Sequence, residues 1–235
     1  MRPKILIALA AALLLSACAT SQQIPAGKPI RSVAVVSAIP ETLELVYIGF
    51  TVFNNTDEVV QIDWNLDAVA EAAATDLLND RYEIRQVTIN KASLRGLHRG
   101  GISLSSFRPV AEELQRQVQP GQADAILLID GLSSYEKGNA LYKEFNMGPR
   151  VGSHLREGRS IGVLYEVVVY DGSTFEPIAF SIDRMPFFEN AGPPWSGQPW
   201  ENVSDRDKRA MRKLVEKYIR GDLAQQMVRL GFIVP

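Results

Sequence analysis

The stretch from Ile161 to Ile182 narrows the fold of this chain more than any other. Ile161 to Tyr170 holds five β-branched residues and reads as one strand. Asp171-Gly172 begins a turn, and Phe175 to Ile182 reads as the returning strand of a hairpin. Upstream, Ala123 to Ile129 (ADAILLI) is a further apolar strand, Arg31 to Ile39 has a buried-strand pattern, and Tyr82 to Ile89 alternates apolar and polar side chains. Three helical patterns accompany these strands. Leu66 to Leu78 places Leu66, Val69, Ala70, Ala73 and Leu77 on one stripe, with Asn65 or Asp63 as the expected cap. Pro109 to Val118 starts on a proline and stops before Pro120-Gly121. A long helix begins at Ser204, with Asp207 completing a capping-box-like start. It carries Met211, Leu214, Val215, Tyr218 and Leu223 at helical spacing, passes an expected kink at Gly221 and ends at Gly231. The expected fold is α+β: an αβ sandwich in which three helices pack on a mixed sheet. Leu43 to Phe53 and Glu58 to Asp63 add an extra hairpin, and a long loop follows the ADAILLI strand.

The amino terminus has a separate logic. Arg2 and Lys4 precede the apolar run Ile5 to Leu15, and small residues then lead to Cys18, the only cysteine in the chain. The run is too short to cross about 30 Å of hydrocarbon as a helix, and no second long apolar run follows it. A lone thiol is a hazard in an oxidising compartment. The quartet Leu15-Ser16-Ala17-Cys18 resembles the lipobox of bacterial lipoproteins. That resemblance implies that the signal is cut before Cys18, that the cysteine is diacylated and that the new amino terminus is acylated. Ala19, where an Asp would favour inner-membrane retention in that family, points to the outer membrane. The expected organisation is a signal peptide over 1–17, a lipidated cysteine and flexible tether over 18–30, and a single αβ domain over 31–235.

The element order, with the stretches ADAILLIDG and YDGST, resembles the small αβ domain of several envelope lipoproteins. These include the amino-terminal part of the Tol translocation protein, the curli secretion lipoprotein and lipoprotein activators of peptidoglycan synthases. The resemblance spans about Arg31 to Gly231 and implies binding or assembly without catalysis. It transfers no functional residue, and the hairpin near Tyr47 departs from the simplest form.

Motifs for chemistry are sparse. Gly158-Arg159-Ser160-Ile161-Gly162 matches G-x-S-x-G, but a nucleophile elbow needs a strand before the serine and a helix after it. Here a polar loop precedes Ser160 and a strand follows. The only histidines, His98 and His154, both come earlier, against the hydrolase order of serine, acid, histidine. The chain is therefore read as non-enzymatic, with a lipid-anchored serine hydrolase using Ser160 as the alternative. No cofactor is expected: the glycines of Gly96 to Gly101 are at the wrong intervals for a nucleotide fingerprint. No metal is expected either, because two distant histidines and a lipidated cysteine supply no recognised ligand spacing. With 25 basic against 27 acidic residues, and Arg2 and Lys4 lost with the signal, nucleic acid is not an expected partner.

Three surfaces are binding candidates. Arg81, Arg85, Lys91, Arg95, Arg99 and Arg108 form a candidate anion-binding group, able to meet anionic headgroups or an acidic partner. Ser133 to Ser160 is long for an idle connection and reads as an extended hairpin for a partner or a membrane. It keeps open a second alternative, an oligomeric secretion or pore lipoprotein. Pro186 to Trp200 packs Phe187, Phe188, Trp195 and Trp200 into a Pro/Gly-rich segment, where aromatic anchors favour recognition of another envelope protein or cover a sheet edge. The expected partners are thus the membrane through the lipid and an envelope protein, with a homo-oligomer as a further option.

Overall fold

The computed structural model describes residues 21–48, 55–98, 103–131, 140–145, 158–182 and 192–233. Two sheets form. The six-stranded one takes β1 (Ser21–Gln22), β2 (Ser32–Ala38), β5 (Glu83–Arg85), β6 (Ala125–Gly131), β9 (Tyr165–Asp171) and β10 (Pro177–Ile182) in the order β1-β10-β9-β6-β2-β5. The four-stranded one takes β3 (Thr42–Ile48), β4 (Thr56–Gln61), β7 (Ala140–Phe145) and β8 (Gly158–Val163) in the order β4-β3-β7-β8. The first sheet is mixed: β2 runs parallel to β5 and β6, while β9 is antiparallel to β6 and β10. Among the described residues, four α-helices accompany the sheets: α1 (Leu66–Leu78), the single turn α2 (Lys91–Leu94), α3 (Arg108–Gln117) and α4 (Asp205–Leu230).

The strand β6 is buried throughout, as its apolar run requires, and its side chains alternate between two cores. Ala125, Leu127 and Ile129 face a core closed by α1 and α4, to which Leu43, Leu45 and Val163 of the second sheet also contribute. Ile126 and Leu128 face a second core closed by Leu94 of α2, Phe107, and Val110 and Leu114 of α3. Helices therefore cover both faces of the large sheet, an α+β arrangement with one more short helix than the three expected.

Several elements differ from expectation for local reasons. The β-branched run Ile161 to Tyr170 is two strands: Leu164 separates β8, in the small sheet, from β9, in the large one. The strand expected over Tyr82 to Ile89 shrinks to three residues at a sheet edge, and Val87 and Ile89 pack on the second core instead. Ser133 to Ser160 does contain an antiparallel hairpin, β7 with β8, and β7 also pairs with β3 in parallel. The expected hairpin of β9 and β10 forms. Asp171 holds its turn by accepting from the amides of Ser173 and Thr174, both at 2.8 Å. Burial pushes the Asp171 carboxyl up, but bonds from Lys28 and these two amides outweigh it and hold the group at about 2. Gly172 is required by close approach, since a Cβ there would lie 1.8 Å from the Ala123 carbonyl oxygen.

The tether expected over 18–30 needs correction at its domain end. Ser21–Gln22 is an edge strand on β10, the Ile24 amide donates to the Leu230 carbonyl at 3.1 Å, and Lys28 pairs with Asp171. Asn65 occupies the start of α1 in the left-handed region (φ 55°) and makes no side-chain cap. Glu41 caps the helix from outside, accepting from the amides of Trp64 (3.0 Å) and Leu66.

Helix α4 begins as expected, with the Ser204 hydroxyl accepting from the Asp207 amide, and ends at Gly231 in the left-handed region (φ 86°). The helix runs through Gly221 as a single element from Asp205 to Leu230. A Cβ at exposed Gly221 would meet nothing within 4 Å. Gly221→Ala is therefore expected to stabilise the domain by about 0.5–1 kcal/mol, by removing backbone freedom from the unfolded chain. A higher urea midpoint with an unchanged slope checks it.

Candidate functional site

At the amino-terminal end of α4 lies a cleft of about 320 Å³, lined by Gln61, Ile62, Asp63, Trp64, Trp200, Asp205, Lys208, Arg209 and Arg212. Three separate parts of the chain meet there: the connection from β4 to α1, the 3-10 turn Trp200–Asn202, and the first two turns of α4. Each is fixed independently. Glu41 holds the backbone at Trp64, and the Trp200 amide donates to the Glu58 carboxylate at 3.2 Å. The two indoles lie 6.3 Å apart, tilted by 59°. Trp64 is 4% exposed and forms the floor, whereas Trp200 is half-buried and forms a wall.

Cations rim this aromatic floor. The Lys208 ammonium sits 4.8 Å from the Trp200 ring centroid, within cation–π reach. Arg212 donates through Nε to Glu216 at 2.7 Å, one turn along the helix. Arg209 is exposed and has no ion-pair partner among the described residues. Asp63 and Asp205 add carboxylate acceptors, so the lining mixes cationic donors, anionic acceptors and π faces.

A second polar cluster is sealed inside the protein. Asp130 of β6 and Glu166 of β9 are direct cross-strand partners, exposed 2% and 1%. His98, also 2% exposed, places Nδ1 2.5 Å from a Glu166 oxygen and Nε2 3.2 Å from the Ser106 hydroxyl. Ser106 donates its proton to the Ser103 carbonyl, so the hydrogen-bond network assigns a proton to Nε2. Neither Asp130 oxygen has a well-formed hydrogen bond. Burial, and then the charge of Glu166, push the Asp130 carboxyl well above its usual range.

No protein-family model and no curated protein sequence matches the chain. Among solved structures the chain is similar to the dodecamer of a PelC variant from Paraburkholderia phytofirmans, at 10% identity and a TM-score of 0.31, covering 89% of this chain and 95% of that one. It is also similar to the hypothetical protein CT253 from Chlamydia trachomatis, at 13% identity and a TM-score of 0.32, covering 84% and 98%. Likenesses at this level leave the function to be argued from the chain itself.

Of the candidate binding residues named from the sequence, Trp200 alone among those described lines the cleft. Trp195 is a core residue and not an exposed anchor: it is 1% exposed and packs edge-on against Tyr47. Phe187 and Phe188 lie outside the described residues, as do Cys18, Arg99 and His154. The expected anion-binding group is not one open patch. Arg85 pairs with Glu83, Lys91 with Glu71 and Arg95 with Asp67, while Arg81 and Arg108 are exposed at the end of α1 and the start of α3. Ser160 lies inside β8, which leads into β9 without an intervening helix. Among the described residues, no group of three or more His, Cys, Asp or Glu is placed to hold a metal ion, and no helix is long and apolar enough to cross a membrane.

Sequence reasoning missed Trp64, Lys208, Arg209 and Arg212. The run of cations from Arg206 to Lys213 was the available signal. Its meeting with Asp63-Trp64, far upstream, is a tertiary event with no periodicity to betray it.

Proposed function

We propose that this protein is a lipid-anchored envelope lipoprotein of the outer membrane, whose periplasmic αβ domain is a non-catalytic binding or assembly factor. The cleft at the start of α4 carries the binding part of this reading. Aromatic faces and a cation without an ion-pair partner among the described residues converge there, on elements fixed by caps and backbone hydrogen bonds. The lipobox-like quartet ending at Cys18 carries the anchoring part. Three acyl chains hold a protein at a bilayer far more firmly than the marginal grip of one.

The anchor also constrains the domain. Ser21 is already paired in β1, so only Ala19 and Thr20 separate it from Cys18, a reach of about 11 Å over three Cα–Cα steps at full extension. The domain would be held against the membrane by the β1–β10 edge, without a long leash.

Replacing Cys18 with Ser is expected to move the protein from the membrane to the soluble fraction of the envelope, and cell fractionation reads this directly. In-cell cross-linking of the lipidated form then identifies what the domain holds. A dominant envelope adduct supports this reading. Self-cross-links alone would replace it with the oligomeric secretion or pore reading, and an unchanged membrane fraction for the Cys18→Ser form would overturn the anchor.

A further inference from the structure

We propose that the cleft takes an anionic saccharide chain, carboxylate-bearing like a polyuronate, presented from beyond the anchoring bilayer. The proposal deepens the binding reading above and uses the lipid anchor only to place the cleft. The lining argues for the ligand class. Lys208 and Arg209 call for negative charge, and Arg209 has no partner of its own among the described residues. Lys208 covers one face of the Trp200 ring, and the rest of this wall suits a sugar ring, which offers C–H groups to the negative face of the π system. Asp63 and Asp205 decide between anions. A bare phosphate group or an acidic side chain presents only acceptors, which both carboxylates repel. Sugar hydroxyls donate as well as accept, so a uronate chain satisfies the cations with its carboxylates and the aspartates with its hydroxyls. The volume of about 320 Å³ suits one or two such rings, at the small end of ligand clefts.

Position argues for the source. The carboxyl-terminal end of α4 is tied to the anchored segment, because the Ile24 amide donates to the Leu230 carbonyl and β1 lies beside it. Lys208 stands 22 residues earlier on the same unbroken helix, about 33 Å away along its axis at 1.5 Å per residue. The cleft and the tethered corner are therefore at opposite ends of the domain's longest element, and a ligand reaches the cleft without competing with the bilayer that holds the protein.

The test uses the full chain in detergent micelles, titrated with a galacturonate hexamer while tryptophan fluorescence is followed. Neutral maltohexaose, a hexaglutamate peptide and phosphatidylglycerol vesicles are titrated in parallel. The galacturonate hexamer is expected to bind at least about tenfold more tightly than maltohexaose or hexaglutamate. Arg209→Glu, at an exposed position, is expected to weaken that binding about tenfold or more, as loss of a charge-assisted hydrogen bond does. Asp205→Ala is also expected to weaken it, although removing a negative charge would strengthen a purely electrostatic site. No saturable hexamer binding by the folded protein overturns the proposal. Equal or tighter binding of hexaglutamate overturns it in favour of an acidic protein segment, and binding confined to the vesicles overturns it in favour of headgroups. Stronger hexamer binding by Asp205→Ala removes the saccharide assignment. Failure of the Cys18→Ser fractionation alone would leave the cleft chemistry intact and sink only the anchor.

Discussion

Replacing Trp195 with alanine is expected to destabilise the domain by about 3–5 kcal/mol, the range for truncating a buried aromatic side chain. Trp195 is 1% exposed, stands edge-on to Tyr47 with ring centroids 6.1 Å apart, and donates through its indole N–H to the Gln198 carbonyl at 2.9 Å. The neighbouring backbone cannot collapse into the space. Gly197 is in the left-handed region (φ 81°), and a Cβ there would lie 2.9 Å from the Thr56 hydroxyl and 3.1 Å from the Tyr47 ring. The segment 192–200 is thus already pressed against β3 and β4. For a domain of this size the loss corresponds to a fall in Tm of roughly 10 °C. Thermal unfolding of Trp195→Ala beside Trp200→Ala checks it. Trp200 is half-buried, and its truncation is expected to cost less than half as much. A midpoint for Trp195→Ala within 2–3 °C of wild type, about what a surface change produces, would remove Trp195 from the core. The contrast also governs how binding experiments are read. Loss of a partner in a Trp195 variant reports unfolding, whereas loss in a Trp200 variant reports the cleft.

What could be read in the chain divides along a physical line. Local rules located the elements whose cause is local. The apolar run of β6, the Asp171-Gly172 turn, the Ser204 cap and the Gly231 stop all appear where residue type demands them. Rules of the same kind fail where a distant group supplies the cause. Asn65 looks like a helix cap, yet Glu41 does that work from 25 positions upstream. Ile161 to Tyr170 has no turn residue beside Leu164, so nothing in it announces the transfer between sheets there, which follows from the position of β7. Ser21–Gln22 reads as polar linker because its partner, β10, comes much later in the chain. Residues of the candidate site fall on the same side of that line. Trp195 and Trp200 are five positions apart in one aromatic segment, and only the packing of β3 and β4 makes one of them core and the other a cleft wall. Arg85, Lys91 and Arg95 look like an open basic group until Glu83, Glu71 and Asp67 are brought beside them.

Asp130→Asn is expected to change the pH dependence of stability. Asp130 faces Glu166 across the β6–β9 ladder, and Glu166 is in turn bridged to His98. Burial raises the Asp130 carboxyl most and Glu166 adds to it. The Gly131 amide and Arg95 oppose the shift, and Asp67 again adds to it. The folded state therefore holds a proton on Asp130 that the unfolded chain releases near the ordinary value of 3.8. As pH rises from that value towards the raised folded one, the native state binds more protons than the unfolded state, and stability falls. The slope for one such proton is about 1.4 kcal/mol per pH unit. Asparagine fills the same space without titrating, so the variant lacks this slope. His98, Glu166 and every other titrating group are common to both proteins and largely cancel in the difference. Urea unfolding at pH 5, 6 and 7 is expected to show the variant gaining on the wild type as pH rises, by at most about 1.4 kcal/mol per unit. Parallel stability curves would mean that Asp130 is ionised in the native state. A carboxylate so deeply buried and so poorly hydrogen-bonded would then need compensation beyond Arg95 and the Gly131 amide, because burial of an uncompensated charge is far costlier than protonation.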